Sequence, residues 1–487
     1  MRQTSLGIAY SPTGIEDAAN NCTSSEVAAL NVQDLQRLDQ SAVVDAAGTF
    51  ALLGNAAILL LGPITALLVA THLSPTLQGF YYTFGSLAVL QTVIEFGFGQ
   101  AFVQLASYEW SGLGFDMKGR ITGDPDAFSR LTRLARLSFI WYSVTAVLIL
   151  FLLAPGGAYF FSRAQAVGTP WLWPWLVLCI GIALNALLTP LSHFLQGCNR
   201  LREFWFYRFI QQIINAVSLW VAILLGAGLW SLPIAMAAGL IWSAIFLRKQ
   251  PSGFLGSVFS IHRGPNISWL VEVWPIQWRI AIGWFSTQLV ILLFAPILFF
   301  SKGPVSAGQM GMAATLSLVL IAISSNWVVT KVPRFCILVA RQQYRELDCL
   351  FFKSFSVGIV AACCGAVGMW LSIYLLGILH HPLASRILSA PSMAVFLLTT
   401  ILNASTIPLA VYLQAHKRDA LAPVFLVSAS LSLTLACVLG SRYGSNGITA
   451  AYLIVIGLVQ FPLCAYVFIR FRSQWHHGKA DDTADST

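Results

Sequence analysis

Long apolar runs, separated by short polar segments, are the feature that most restricts what this sequence can fold into. About 20 consecutive apolar residues cross roughly 30 Å of hydrocarbon as a helix, and a helix satisfies its own backbone hydrogen bonds there. Twelve such runs lie at approximately residues 50–73, 79–107, 137–161, 171–196, 204–226, 229–247, 276–300, 307–330, 353–379, 392–414, 421–440 and 446–469. With 57% hydrophobic and 10% charged residues, the chain is predicted to be an all-α polytopic membrane protein.

The distribution of Lys and Arg predicts its orientation. If the N-terminus is cytoplasmic, the segments on that side hold 23 of the 28 Lys and Arg residues, and the other side holds four. The remaining one, Arg279, lies just inside the seventh span. Because positive residues concentrate on the cytoplasmic side, we expect a multi-pass protein of the cytoplasmic (inner) membrane with both termini in the cytoplasm. The same rule accounts for the net charge of +9 without a nucleic-acid partner.

The spans divide the chain into five parts. Residues 1–48 are a polar arm without the apolar core of a signal peptide, so we expect it to be retained as a surface-lying or disordered cytoplasmic segment. Residues 49–247 form a first six-helix bundle, 248–275 a cytoplasmic linker, 276–470 a second six-helix bundle and 471–487 a polar cytoplasmic tail.

The sequence lacks the patterns expected of an enzyme. It has no G-x-x-x-x-G-K-[ST] loop for ATP phosphates, and the G-x-G of "EFGFGQ" lies inside a span, where glycines permit close helix packing. The longest loop on the non-cytoplasmic side offers His380, His381 and Arg386 without a carboxylate, and the nine cysteines show no C-x-x-C spacing. We therefore predict a non-enzyme without a cofactor or metal.

One charge stands alone in the first two spans. Between Phe50 and Tyr108 the only charged residue is Glu95, and a charge at mid-bilayer costs roughly 2.5 to 3.5 kcal/mol unless a partner or a wet cavity receives it. At 100° per residue, one helical face would carry a stripe of small and polar residues, namely Ala88, Gln91, Thr92, Glu95 and Gly99. The stripe predicts that this face of the helix points toward the protein interior and not toward lipid.

Three stretches resemble the polysaccharide-export branch of the multidrug/oligosaccharidyl-lipid/polysaccharide (MOP) flippase superfamily, which includes O-antigen flippases. They are "HLSPTLQGFYYTFGSLAVLQTVIEFGFGQAFVQLASYEW", "VWPIQWRIAIGWFS" and "AGQMGMAATLSLVLIAISSNWVVTKVPRF". The resemblance implies two bundles around a central cavity lined mainly by spans one, two, seven and eight. A Pro-containing helix followed by a Gln/Gly pair recurs in both halves (Pro63, Gln78 and Gly79; Pro296, Gly308 and Gln309), as expected of a parallel six-plus-six repeat.

Within that cavity we predict a substrate-binding set. Arg279, Gly283 and Ser286 form a second stripe on the seventh span, and the Arg279 guanidinium either binds a phosphate bidentately or extends to lipid headgroups. Glu95 either contacts substrate or forms an interhelical hydrogen bond or ion pair, and pairing with Arg279 would need both side chains extended. The predicted binding residues are Glu95, Arg279, Gln91, Thr92, Ser286, Asn55 and Asn326.

Three functions remain open at this point. The resemblance favours a flippase that moves a lipid-linked oligosaccharide, carried on a polyprenyl pyrophosphate, across the cytoplasmic membrane for surface polysaccharide biosynthesis. Its partners would be membrane lipids and polysaccharide assembly proteins. An ion-coupled multidrug-type exporter of the same fold would instead use Glu95 to exchange an ion for drug. A membrane-bound glycosyltransferase or polymerase is the third reading, and the short loops argue against it.

Overall fold

The computed structural model describes residues 49–50, 53–54, 57, 59–116, 121–163, 168–250, 256, 267–284, 289–416 and 420–477. Within these residues, the first half contains nine helical segments. They are α1 (Leu59–His72), α2 (Pro75–Ala88), α3 (Gln91–Glu95), α4 (Phe98–Trp110), α5 (Pro125–Leu148), α6 (Ala154–Arg163), α7 (Leu172–Gly197), α8 (Leu201–Leu224) and α9 (Ser231–Arg248). A π-helical turn, Ile149–Leu153, joins α5 to α6, so the two form one long helix.

Nine further helical segments lie in the described part of the second half. They are α10 (Trp274–Trp284), α11 (Val290–Lys302), α12 (Pro304–Val329), α13 (Val332–Ala340), α14 (Tyr344–Ile378), α15 (Ala390–Ala415), α16 (Ala422–Tyr443), α17 (Ser445–Val455) and α18 (Phe461–His477). π-Helical turns precede α10 (Trp269–Val273) and join α17 to α18 (Ile456–Gln460). A 3-10 segment, Pro382–Arg386, lies between α14 and α15.

A short β-hairpin connects α4 to α5. Strands β1 (Leu113–Phe115) and β2 (Ile121–Gly123) pair antiparallel. The next helix starts sharply because Asp124 accepts a hydrogen bond from the Asp126 N–H at 3.1 Å and Pro125 occupies its first position, a favourable arrangement for a helix N-terminus. We use this hairpin to name the "hairpin end" of the molecule and call the end that carries Pro382–Arg386 the "opposite end".

The all-α membrane fold is confirmed. Nine helices in the described part of the chain are long and apolar enough to span a membrane, and the bent pair formed by α2–α3 and α4 makes a tenth. The predicted first and seventh spans are represented by the shorter apolar helices α1 and α11. The count of twelve spans therefore remains a prediction, as does the division into bundles, linker, arm and tail.

Aromatic rings pack the two halves together near the opposite end. Phe80 and Phe84 of α2, Phe161 of α6 and Phe299 of α11 are all fully buried. The Phe80 and Phe299 ring centroids are 4.9 Å apart across the halves, and Phe84 lies 5.2 Å from Trp175. Offset and edge-to-face aromatic pairs of this kind add to the free energy of burial, so this cluster fixes α2 between both halves.

Candidate transport cavity

The two halves approach each other most closely where α2 and α12 begin. A Cβ on Gly79 would overlap the backbone carbonyl of Pro304, and a Cβ on Gly308 would lie 3.0 Å from the Gly79 nitrogen. Only glycine permits such an approach between backbones. Gln78 adds two hydrogen bonds, to the carbonyls of Gly308 (3.2 Å) and Arg386 (2.8 Å).

The second Gln/Gly pair contributes to the same contact. Gln309 donates a hydrogen bond to the carbonyl of Ser385 at 2.9 Å, in the 3-10 segment that covers this end. The two Gln/Gly pairs that recur in the sequence therefore meet each other, one from each half, and the opposite end is closed.

A chamber of about 580 Å³ lies next to this closure. Most lining residues come from α1, α2, α11 and α12, which correspond to spans one, two, seven and eight, and the rest come from α7, α8 and α9. The lining is mainly apolar or small, with polar groups contributed by Thr65, Tyr81, Tyr82, Ser86, Gln212, Asn215 and Thr315. The chamber is thus enclosed by both halves, as the resemblance implies.

Three polar atoms of the chamber wall are buried without a hydrogen-bond partner in the described structure. They are the Tyr82 hydroxyl, Gln212 Oε1 and Asn215 Oδ1. Leaving a buried polar group unsatisfied costs about 1 to 3 kcal/mol. Groups of this kind are therefore expected where a ligand or water completes the hydrogen bonding.

Glu95 belongs to a hydrogen-bonded cluster within the first half. Its carboxylate accepts a short hydrogen bond from the Tyr142 hydroxyl of α5 and one from the Gly99 N–H at 3.2 Å. The Tyr142 oxygen also lies 3.2 Å from Nδ1 of His193 on α7. Because a hydroxyl has one proton, donation to Glu95 requires the His193 nitrogen to donate to Tyr142. The three side chains form one chain of hydrogen bonds across α3, α5 and α7.

The predicted stripe from Ala88 to Gly99 assumed one regular helix, and this is wrong at Phe96. Phe96 (φ 53°) and Gly97 (φ 71°) adopt left-handed conformations, so α3 ends and α4 begins again at an angle of 45°. Left-handed backbone costs a non-glycine residue roughly 1 to 2 kcal/mol. The Phe96 ring stacks on Trp274 of the second half at 5.7 Å, a contact that offsets part of that cost. Glu95 therefore sits at a helix break.

The other predicted binding residues do not gather around Glu95. Gln91 and Thr92 are half-buried on α3, and the Thr92 hydroxyl bonds the Val89 carbonyl at 2.7 Å. Asn326 is half-buried on α12. Arg279 is exposed on α10, with its guanidinium 5.7 Å from the Trp278 ring centroid. None of these four lines the chamber. Asn55 and Ser286 lie outside the described residues.

A second, smaller cavity of about 250 Å³ lies nearer the hairpin end, between α4, α7 and α8. His193 lines it, as do Arg208 and Gln211. Arg208 is one of the 23 Lys and Arg residues that the positive-inside rule assigns to the cytoplasmic side, and that rule does not reveal this cavity. The signal was the polar spacing Arg208, Gln211, Gln212 and Asn215 along α8, which is the spacing of one helix face.

Ion pairs connect the halves at the hairpin end. Arg130 of α5 pairs with Glu109 of α4 at 2.8 Å and with Glu272, just before α10, at 2.6 Å. The hydrogen bond from Arg130 lowers the pKa of Glu272 below its ordinary value, with a smaller contribution from the Ser268 N–H. One guanidinium thus holds two carboxylates, one from each half.

Solved structures similar to this chain include membrane transporters. A multidrug resistance MATE family transporter of the MOP superfamily, in an inward-facing conformation, superposes with a TM-score of 0.62 at 10% identity, over 87% of this chain and 99% of that one. The lipid II flippase MurJ, in an inward closed conformation, gives a TM-score of 0.58 at 12% identity, over 87% of each chain.

A MOP superfamily transporter from Pyrococcus furiosus gives a TM-score of 0.52 at 12% identity, over 90% of this chain and 96% of that one. No protein-family model matches the sequence, and no curated protein is significantly similar to it. At these identities the likeness establishes the fold, which is that of MOP superfamily transporters.

Proposed function

We propose that this chain, which has the fold of MOP superfamily transporters, is a flippase for a lipid-linked oligosaccharide. Its cargo would be carried on a polyprenyl pyrophosphate and moved across the cytoplasmic membrane for surface polysaccharide biosynthesis. The fold of a lipid II flippase supports transport of a lipid-linked substrate, and the sequence resemblance supports the polysaccharide branch. Polysaccharide assembly proteins would be its partners.

The observation that carries the proposal is the charge of the cavity walls. No Asp or Glu is among the described residues that line the chamber or the second cavity, whereas Arg208 lines the latter. A wall without carboxylates does not favour a cationic drug, and a guanidinium favours phosphate. The apolar chamber with unpartnered polar atoms suits a substrate that is part lipid and part sugar.

Transport would proceed by alternate opening of the two ends. Closure at the opposite end depends on the α2–α12 contact, and contact at the hairpin end depends on Arg130 and the Phe96–Trp274 stack. Both sets are present in this structure, so opening of either end would break the contacts of that end while those of the other end persist. With the predicted orientation, the hairpin end faces the cytoplasm and receives the substrate.

A multidrug-type ion-coupled exporter is the second candidate, because of the Glu95–Tyr142–His193 chain. A chain of hydrogen bonds between a carboxyl, a hydroxyl and an imidazole can reverse its direction when a proton is added. Such a group in the first half could couple proton movement to transport. Either substrate class is compatible with this coupling, so the cargo must be tested directly.

Removal of the protein from its native cells tests the proposal. We expect lipid-linked saccharide to accumulate on the cytoplasmic side of the membrane and surface glycan to be lost, with restoration by the wild-type chain. Resistance to cationic dyes should not change. A change in dye resistance without any glycan defect would instead support the exporter.

A further inference from the structure

The second cavity is lined almost entirely by polar side chains. Among its described lining residues, all except Phe204 carry a hydrogen-bonding or charged group, and Trp205 contributes only an indole N–H. This polarity is unusual for a cavity between membrane-spanning helices, because polar groups in hydrocarbon are costly and mark substrate or ion pathways. The cavity therefore needs an occupant with many polar groups.

Arg208 supplies the only charge among the described lining residues, apart from any proton on His193. It is the eighth residue of α8, which places it roughly 10 Å along the helix at 1.5 Å per residue. Arg208 is exposed, lines the cavity, and forms no side-chain hydrogen bond or salt bridge with a described residue. An unpaired guanidinium at this depth calls for an anion, and its planar donors match phosphate oxygens.

Three amide side chains in the same wall also lack partners. Gln100, Asn185 and Gln196 form no side-chain hydrogen bond within the described structure. Each amide provides donors and an acceptor, which is what the hydroxyl groups of a sugar require. Trp205 adds an aromatic surface at the same wall. A cation, free amides and an aromatic ring thus converge on one small space.

Glu95 does not neutralise this site directly. Its carboxylate is engaged by Tyr142 and Gly99, and only His193 of that hydrogen-bonded chain lines the cavity. The positive charge of Arg208 in the cavity wall is therefore not neutralised by Glu95.

We propose that the second cavity binds a phosphorylated sugar head, with Arg208 on the phosphate and Gln100, Asn185 and Gln196 on the sugar hydroxyls. This inference rests on the proposed function, since it names where the head of the lipid-linked substrate sits before it enters the chamber. The site lies toward the hairpin end of the first half, so occupancy precedes passage through the chamber.

Binding of soluble probes to the purified full-length protein in detergent tests the site. The probes are inorganic pyrophosphate and glucose 1-phosphate, with glucose as the uncharged comparison. We expect Arg208→Gln to weaken binding of both phosphates about tenfold or more, which is about 1.4 kcal/mol. Arg202→Gln changes an exposed arginine in the first turn of the same helix and should leave affinity within about twofold.

Each alternative outcome is distinguishable. Equal losses in both arginine variants would show nonspecific attraction and overturn the site, as would unchanged binding in Arg208→Gln. Displacement of glucose 1-phosphate by phosphatidylglycerol vesicles, but not by phosphatidylcholine vesicles, would assign the site to bulk lipid headgroups and overturn the sugar assignment. Gln196→Ala supplies a second variant if Arg208→Gln is unstable, and we expect it to weaken glucose 1-phosphate more than pyrophosphate.

The two experiments distinguish an error in the assigned binding site from an error in the proposed function. If the phosphates bind through Arg208 but removal of the protein leaves surface glycan normal, the binding site stands and the flippase proposal is wrong. If removal abolishes surface glycan but phosphate affinity does not depend on Arg208, the function stands and this assignment is wrong.

Discussion

Glu95 and Tyr142, 47 residues apart in the sequence, are joined by a short hydrogen bond that links α3 to α5. Replacing Glu95 with Gln removes the charge but leaves an oxygen that can still accept from Tyr142 and Gly99. We expect membrane abundance to stay near wild type and glycan export to fall by about tenfold or more. Export and abundance are measured on the same cells.

Two further variants distinguish charge from structure. Tyr142→Phe removes the donor between Glu95 and His193 and should reduce both abundance and export, because it leaves a buried carboxylate with one donor fewer. Arg279→Gln alters an exposed side chain whose one side-chain contact with a described residue is the Trp278 ring, and it should have a small effect. Wild-type export in Glu95→Gln at normal abundance would show that the carboxylate charge is dispensable.

The close backbone contact at the opposite end predicts a sharp effect of one methyl group. Gly79→Ala would force Pro304 away, and overpacking of this kind costs about 1 to 3 kcal/mol. Gly85→Ala, on the same helix, is the matched control, because a Cβ at Gly85 would meet no atom within 4 Å.

We expect Gly79→Ala to open the opposite end, so that a cysteine introduced at Gln309 reacts with a membrane-impermeant maleimide faster than in the Gly85→Ala background. The same reactivity in both backgrounds would contradict the assigned role of the α2–α12 contact.

Glu272 predicts a pH dependence of stability. Its pKa is lowered in the folded protein by Arg130, so its contribution is present above the ordinary carboxyl pKa of about 4.3 and is lost as the pH falls through the lower folded value. Wild type should therefore lose more thermal stability than Glu272→Gln between pH 5 and acid pH, with a difference of about 1 kcal/mol or less.

Melting temperatures of the purified proteins, measured across that range, test this. Glu203→Gln removes a carboxylate whose partner, Arg200, belongs to the same end and the same half. Glu203→Gln therefore controls for the loss of one negative charge without the loss of an ion pair between the halves. If the melting temperatures of wild type and Glu272→Gln fall in parallel with pH, the Arg130–Glu272 ion pair does not stabilise the folded protein.

Topology is the fourth prediction. Because of the excess of Lys and Arg on one side, a reporter inserted after Thr122 in the hairpin, and one at the C-terminus, should both report the cytoplasm. Labelling of either from outside would reverse the predicted orientation or break the twelve-span arrangement.

Apolar periodicity was sufficient to predict the class of fold and the approximate positions of most helices. Bilayer thickness and backbone hydrogen bonding leave few alternatives for such a chain. The Gln/Gly pairs led to the prediction of a parallel repeat, which stays a prediction, whereas their contact with each other was not predicted; close contact between backbones requires glycine and leaves that trace in the sequence. The structure shows that the two pairs touch.

Side-chain partners were harder to predict. Periodicity cannot show that Phe96 leaves the helical conformation, because a non-glycine residue in the left-handed region is held there by tertiary contacts. Tyr142 and His193 lie 47 and 98 positions beyond Glu95, so only the packing of α5 and α7 brings them together. The place of Arg208 in a cavity wall was not predicted, because charge counts for orientation take no account of the face on which an arginine lies.

The two ends of the molecule are held by different chemistry, and this makes them respond to different solutes. At the opposite end the contact is between backbones, with amide hydrogen bonds and no ion pair among the described residues. At the hairpin end a single guanidinium joins three elements. Mobile ions screen charges over about 8 Å at physiological salt and about 3 Å at 1 M, while leaving amide hydrogen bonds largely unaffected. Added electrolyte therefore weakens the Arg130 ion pairs at the hairpin end and leaves the Gly79–Pro304 contact at the opposite end largely unchanged.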